Sequence, residues 1–354
     1  MPKEINDLLK LMVDRRASDL HISAGASIQV RIDEKLVPID DHILSEEESK
    51  ALSYSMLNEG QIKKFESDLE LDMAFGVEDL GRFRTNIFQQ RGIICCAIRL
   101  IPHDIWTFEQ CGLPADVVIN LCKKPKGLVL VTGATGSGKS TSLASMIDWI
   151  NKDRNCHIVT VEDPIEFVHS NKKAIVHQRE IYSDTHSFGK ALRHVLRQDP
   201  NVILIGELRD LETIEAALII AETGHLVFAT LHTSDCVQTI NRIIDVFPAY
   251  QQQQIRIQLS FVLIGVLSQQ LIPKQGTSGR VLATEILLSN SALRSLIRES
   301  KVHQVYSIMQ TSQKEGMKTM NQALYELYQK KLITYEDAFA RTTDPDDLTR
   351  LFKK

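Results

Sequence analysis

The sequence has no excess of charge of either sign. Forty-one Lys and Arg residues stand against 45 Asp and Glu in 354 residues, a formal net charge of -4. No global field therefore favours nucleic acid or an acidic membrane, although local basic patches stay open. There is also no run of about 20 apolar residues, the length that spans a bilayer. The longest apolar stretch, near Leu259 to Leu267, is too short. Met1 to Met12 carries Lys3, Glu4, Asp7 and Lys10 and lacks the apolar core of a signal peptide. The cysteines Cys95, Cys96, Cys111, Cys122, Cys156 and Cys236 form no C-x-x-C pair, which argues against a zinc ribbon. Cys122 and Cys156 border apolar runs and read as small buried hydrophobes rather than disulfide partners. These absences predict a soluble, cytoplasmic, reduced protein with no direct membrane insertion. Membrane contact would come through a partner.

What is present is an ordinary folded mixture, 43% hydrophobic and 24% charged, long enough for two or three domains with sizeable cores. Ile5, Leu8, Leu9 and Met12 lie on one helical face. Short alternating segments follow at Asp19 to Ser23, Ile28 to Ile32, Leu71 to Phe75 and Gly81 to Phe88. With the helix-like Glu46 to Phe65, they predict an α+β domain over residues 1–100. Pro102, Asp104, Gly112 and Pro114 punctuate a linker over residues 101–112. Residues 113–354 read differently. Apolar runs at Gly127 to Thr132, Cys156 to Val161, Val202 to Ile205 and Leu226 to Leu231 alternate with helical patterns. Ser187 and Asp210 stand at cap positions, Asp199-Pro200 stops one helix and Gly224 ends another. This is the pattern of an α/β fold, a mainly parallel sheet covered by helices. From Tyr250 onward the chain reads mostly helical, with a loop at Gln275 to Gly279. No repeat or low-complexity run occurs.

Gly133-Ala134-Thr135-Gly136-Ser137-Gly138-Lys139-Ser140 satisfies G-x-x-x-x-G-K-[ST], between an apolar strand and an amphipathic helix. Glycines let successive N–H groups curl around phosphates, and the helix N-terminus adds partial positive charge. Residues 133–141, ending at Thr141, thus predict a nucleotide site. Lys139 would reach the β- and γ-phosphates of ATP, and Ser140 would hold Mg²⁺. Hydrolysis further needs an oriented water. Glu207, at the tip of the run Ile203-Leu204-Ile205 beside the P-loop strand, is the candidate base. Gly206 replaces the acid often found before it, so the ion would rely on Ser140, phosphate oxygens and water. Glu162, Asp163 and Glu166 cluster at the next strand tip, where they suit water or Mg²⁺ positioning, or simply a helix cap and solvated turn. His225 and His232 bracket the strand Leu226 to Leu231 and, on spacing alone, read as structural or functional.

Ala17-Ser18-Asp19-Leu20-His21-Ile22-Ser23, the P-loop, Thr160 to Phe167, Gly206-Glu207-Leu208-Arg209-Asp210 and Thr223-Gly224-His225 to His232-Thr233 resemble, in this order, the blocks of secretion and pilus ATPases, and Leu192 to Pro200 is similar to a segment typical of them. Ala292 to Glu299 resembles the A-I-R-N-L-I-R-E block of PilT-type retraction ATPases, with Leu293 for isoleucine and Ser295 for asparagine. The resemblance implies a PAS-like N-terminal domain joined flexibly to a RecA-like ATPase domain with a helical C-terminal part, assembled as a hexameric ring. It implies Glu207 as base, with Glu162 and His225 or His232 supporting the γ-phosphate and the interface. It also implies Arg84 and Arg99 over the nucleotide, where arginines offset charge on the transferring phosphoryl group. ATP-driven closure of the N-terminal domain would act on a PilC-like inner-membrane platform protein and retract type IV pili from the inner face of the membrane. Other pilus ATPases are further possible partners; nucleic acid is not expected. Two alternatives stay open. One is a pilus-extension or type II secretion ATPase, though a longer N-terminal region and a tetracysteine insert are absent. The other is a nucleotide-gated assembly or regulatory ring with little turnover.

Overall fold

Alternation of apolar and polar residues builds the first sheet, and two-sided apolar runs build the second. The computed structural model describes residues 4–15, 17–32, 35–78, 80–101 and 104–353. Lys3 and Pro102, which entered the sequence reading, lie outside them. The chain divides into two compact units, Met1–Asp104 and Ile105–Lys354.

In the first unit, α1 (Ile5–Asp14) buries Leu8, Leu9 and Met12, the predicted stripe. The strands are β1 (Asp19–Ile22), β2 (Ser27–Ile32), β3 (Lys35–Ile43), β4 (Glu70–Val77), β5 (Gly81–Gln90) and β6 (Ile93–Ile101). They form an antiparallel sheet in the order β3-β2-β1-β6-β5-β4. Leu20, Ile22, Phe83, Ile87 and Ile98 face the core. The stretch Glu46 to Phe65 is two helices, not one. The first, α2 (Glu46–Tyr54), starts at a Ser45–Glu48 capping box, and α3 (Glu59–Asp68) at an Asn58–Gln61 box. Asn58 accepts from the Gln61 amide and so begins a new helix where a single one was expected.

In the second unit, α4 (Phe108–Cys111) and α5 (Ala115–Cys122) precede β7 (Gly127–Thr132). Part of the expected linker is therefore ordered: Phe108 is buried in this unit's core. The chain continues through α6 (Lys139–Asp153), β8 (His157–Glu162), β9 (Ile175–Glu180), α7 (Phe188–Val195), β10 (Val202–Ile205), α8 (Leu211–Glu222) and β11 (Leu226–Leu231). Next come α9 (Cys236–Asp245), α10 (Ala249–Val262), β12 (Leu263–Pro273) and β13 (Arg280–Leu288). The sheet order is β13-β12-β7-β11-β10-β8-β9, with β13 the antiparallel member. Alternate residues enter cores on opposite faces. Leu128 and Leu130 join one cluster, Val129 and Val131 the other. That two-sided burial is why β7, β10 and β11 read as continuous apolar runs. Ser187 and Asp210 cap α7 and α8 as their side chains predict.

The expected helix-rich region after Tyr250 opens with α10 but is corrected between residues 263 and 288. β12 and β13 form a hairpin around 274–279 and extend the sheet past β7. Leu263 to Leu267 is apolar apart from Gly265, where the pairing with β7 shifts register, and its short period did not separate strand from buried helix. Helices follow at α11 (Ser291–Arg298), α12 (Val305–Thr311), α13 (Met320–Gln329), α14 (Tyr335–Arg341) and α15 (Pro345–Phe352). Among the described residues no helix is long and apolar enough to cross a membrane.

Candidate active site

Parallel pairing places the C-terminal ends of β7, β11, β10 and β8 side by side along one edge of the sheet. Sheets of this kind bind ligands at that edge. The P-loop leaves β7 there. Gly133, Gly136 and Gly138 have φ of 138°, 77° and 88°, and a Cβ at Gly133 would sit 2.4 Å from the Gln269 carbonyl oxygen. The motif's first glycine is thus required both by its backbone and by its neighbour. Ala134 and Thr135 are exposed on the loop; Ser140 and Thr141 are half-buried on the first turn of α6.

Lys139 is 9% exposed, and its Nζ donates to the carbonyls of Gly133 at 2.8 Å and Ala134 at 3.0 Å. Burial lowers its pKa, opposed by Glu207 and Glu166. The ammonium therefore sits over the loop with acidic residues in electrostatic reach. The Ser137 Oγ is buried and has no hydrogen-bond partner among the described residues.

Glu207 follows β10. Its carboxylate accepts from Arg209 Nε at 2.8 Å, and His232 Nε2 stands 3.4 Å away. Thr230 Oγ1 donates to the Gly206 carbonyl at 2.5 Å and the Leu208 amide donates to the Thr230 carbonyl, locking this tip to β11. One expectation is corrected here. The strand carrying Glu207 is not beside β7, because β11 lies between them. His232 is consequently on the adjacent strand end, next to both. Gly206 has a steric reason: a Cβ there would approach Glu162 Cα to 3.2 Å and the Val161 carbonyl oxygen to 3.3 Å.

Glu162 ends β8. Its carboxylate accepts from Thr160 Oγ1 at 2.6 Å and Gln178 Nε2 at 3.3 Å. Loss of solvent pushes the carboxyl up to about 7, against those hydrogen bonds and helped by the charge of Glu166. The residue keeps some exposed surface, but its carboxyl is enclosed by donors and by β9, so burial governs. Gln178 also donates to the Phe167 carbonyl and accepts from the His169 amide. The segment after the acidic block is thereby tied to β9.

His225 is not brought to this edge. It precedes β11, where its carbonyl accepts from the Gly127 amide at the far end of β7, and its Nδ1 lies 3.0 Å from the Ile220 carbonyl oxygen. The strand between His225 and His232 separates them by about 20 Å at the usual rise. His225 secures the end of α8 instead. Arg84 and Arg99 belong to the first unit, directly opposite each other on β5 and β6. Arg99 Nε donates to Asp19 at 2.8 Å, and Arg31 lies 3.6 Å from the same carboxylate. Asp19, in the opening motif, thus holds two arginines on the face away from Leu20 and Ile22. Sequence reasoning did not single out Arg209, Gln178, Thr230 or His169. Arg209 and His169 stand two residues beyond motif glutamate and phenylalanine positions, respectively, which was their available signal.

The model of the type II/IV secretion system protein family matches residues 1–339. The chain belongs to that family. The type IV pilus retraction ATPase PilT of Pseudomonas aeruginosa is 47% identical over 97% of this chain and 99% of its own length. The type IV pilus ATPase PilU of the same organism is 41% identical, covering 99% of this chain and 91% of its own. A crystal structure of the pilus retraction motor PilT with bound ADP superimposes with a TM-score of 0.93 at 50% identity, over 98% of this chain and 99% of that one. Within the family the chain groups with the PilT-type ATPases.

Proposed function

We propose that the chain is an ATP-hydrolysing subunit of a motor that powers type IV pilus retraction. The observation that carries the reading is the complete P-loop on β7 and α6 with Glu207 and Glu162 at the tips of the same sheet. Identity to PilT along nearly the whole chain favours retraction over extension.

Residues 133–141 would cradle the phosphates, with Lys139 exchanging the Gly133 and Ala134 carbonyls for β- and γ-phosphate oxygens. Glu207 would orient the attacking water as base, and His232 would steady its carboxylate. Ser140 and Glu162 line one small cavity, an all-oxygen pair that suits a hard cation. Ser140 would ligate Mg²⁺ and Glu162 would hold its water shell; the ion, when bound, neutralises phosphate charge. Arg84 and Arg99, adjacent on one face, would serve as phosphate-directed cations in a homohexameric ring. The further reading includes a membrane platform protein as the driven partner and a location at the inner face of the cytoplasmic membrane.

The test is Glu207→Gln. It should bind ATP like wild type but release phosphate at least about a hundredfold more slowly, a loss within the range for removing a positioned base. In cells whose only copy carries it, pili should accumulate without twitching. Bald cells would make the chain an extension motor. Equal, negligible release by wild type and variant would make it a regulatory ring. The 41% identity to the type IV pilus ATPase PilU specifies no retraction role, so an accessory retraction ATPase is the second reading. Retraction in cells holding no other retraction ATPase separates the two.

A further inference from the structure

Behind the P-loop helix is a cavity of about 40 Å³. Ser140, Glu162, His169 and Thr230 supply its polar lining, and Leu143 and Phe167 part of its apolar wall. His169 is 7% exposed, and its Nδ1 is buried without a hydrogen-bond partner among the described residues. A buried unpaired ring nitrogen is costly, and such groups are usually satisfied by protein or by ordered water. Among the described residues no donor or acceptor serves it. Asp148, the charge nearest in influence, is already paired with Lys152 at 2.7 Å and with Lys172. The Gln178 side chain is spent on Glu162, Phe167 and the His169 main chain. The space exceeds what one water needs, and the wall offers a carboxylate, a ring nitrogen and hydroxyls, enough partners for it.

We infer that His169 and Glu162 together hold one buried water beside Ser140, and that His169 is through it a positioning residue for the metal side of the nucleotide site. The water donates one proton to His169 Nδ1 and one to the Glu162 carboxylate, leaving its oxygen for the Ser140 side. Burial pulls the imidazole down to about 4, so the ring is neutral near pH 7 and can accept. The Gln178 bridge fixes the two residues to one strand, so an altered water position is transmitted to Glu162 rather than absorbed by a loop. Outer partners of this kind commonly alter metal affinity by about 10–100-fold when removed. The inference rests on the nucleotide-site reading above.

The experiment measures ADP binding by calorimetry with and without Mg²⁺, in wild type, His169→Asn and His169→Leu. The two variants share a side chain of four heavy atoms branched at Cγ, and only Asn retains a polar atom near Nδ1. Wild type should bind ADP more tightly with Mg²⁺. Failure of that control would sink the nucleotide-site reading, not this one. His169→Leu should keep its Mg²⁺-free ADP affinity and lose about tenfold of the Mg²⁺ enhancement, whereas His169→Asn should retain most of it. Full enhancement in His169→Leu, or equal loss in both, overturns the inference. A wild-type crystal structure decides the matter without any variant. It should show a water within about 3.2 Å of both His169 Nδ1 and Glu162, and a dry cavity refutes it.

Discussion

Glu162→Gln should make the ATPase unit more stable at alkaline pH than at acid pH relative to wild type. The usual glutamate value is 4.5, and burial beside Thr160 and Gln178 moves this carboxyl up to about 7. Between those values the folded chain binds a proton that the unfolded chain has released. Stability from this group is therefore full below pH 4.5, falls as pH rises, and is lost above 7. A difference of about 2.5 units at 1.36 kcal/mol each gives an upper figure of roughly 3 kcal/mol, reduced by the surface that Glu162 still exposes. Glutamine keeps the shape and still accepts through Oε1 from Thr160 and Gln178, but it does not titrate. The stability difference, variant minus wild type, should therefore grow by about 2 kcal/mol between pH 5 and pH 8. The assay is denaturant unfolding of nucleotide-free protein at a series of pH values, reading the transition of the ATPase unit. A flat difference would refute the buried-carboxyl account. A difference that shrinks with rising pH would mean that hydrogen bonds, not burial, govern Glu162.

Gly206→Ala should slow phosphate release while sparing ATP binding, because its Cβ would meet Glu162 Cα at 3.2 Å and push the two acidic tips apart. A cost of about 1–3 kcal/mol in stability is expected from the crowding, and a wild-type turnover rate would count against the steric explanation. Phe228→Ala should destabilise the second unit by about 3–5 kcal/mol in chemical denaturation, since the ring is 0% exposed on the central strand β11. A loss below about 1 kcal/mol would mean that the sheet collapses around the space.

The sequence made the nucleotide-binding edge legible because its signals are local. The P-loop carries its own strand, turn and helix; Ser187 and Asp210 announce their helices through side chains that reach three residues ahead. Gln178 was not legible because β9 (Ile175–Glu180) contains polar residues at 177–180 and lacks an apolar run. Its importance comes from parallel pairing with β8, a contact between segments that share no motif. The histidines show the same limit in reverse. His225 and His232 look equivalent around one strand, but a parallel sheet has two unlike ends, and only the C-terminal end carries the loop that curls toward phosphate. Spacing along the chain cannot say which end a residue occupies until strand direction is known. β12 was misread for a further reason: an apolar run in the middle of a large protein satisfies a buried helix and a central strand equally.

Lys139, Glu207 and Glu162 each already have internal partners, and this shapes what binding can be worth. Lys139 is held by two backbone carbonyls, Glu207 by Arg209 and His232, and Glu162 by Thr160 and Gln178. A phosphate arriving at Lys139 replaces two good hydrogen bonds rather than rescuing a bare cation, so its net gain is the difference between the two arrangements. In the proposed mechanism the same exchange would apply at Glu207, whose carboxylate is held by Arg209. The carboxylate oxygen that accepts from Arg209 is not free for a water, so Glu207 acting as the proposed base would first have to release that hydrogen bond. Arg209 is 60% exposed and His232 45%, and His232 follows directly on the strand between Glu207 and the P-loop. Under the proposed mechanism Arg209 would hold the carboxylate in place until it is needed, and His232 would keep its direction when Arg209 lets go.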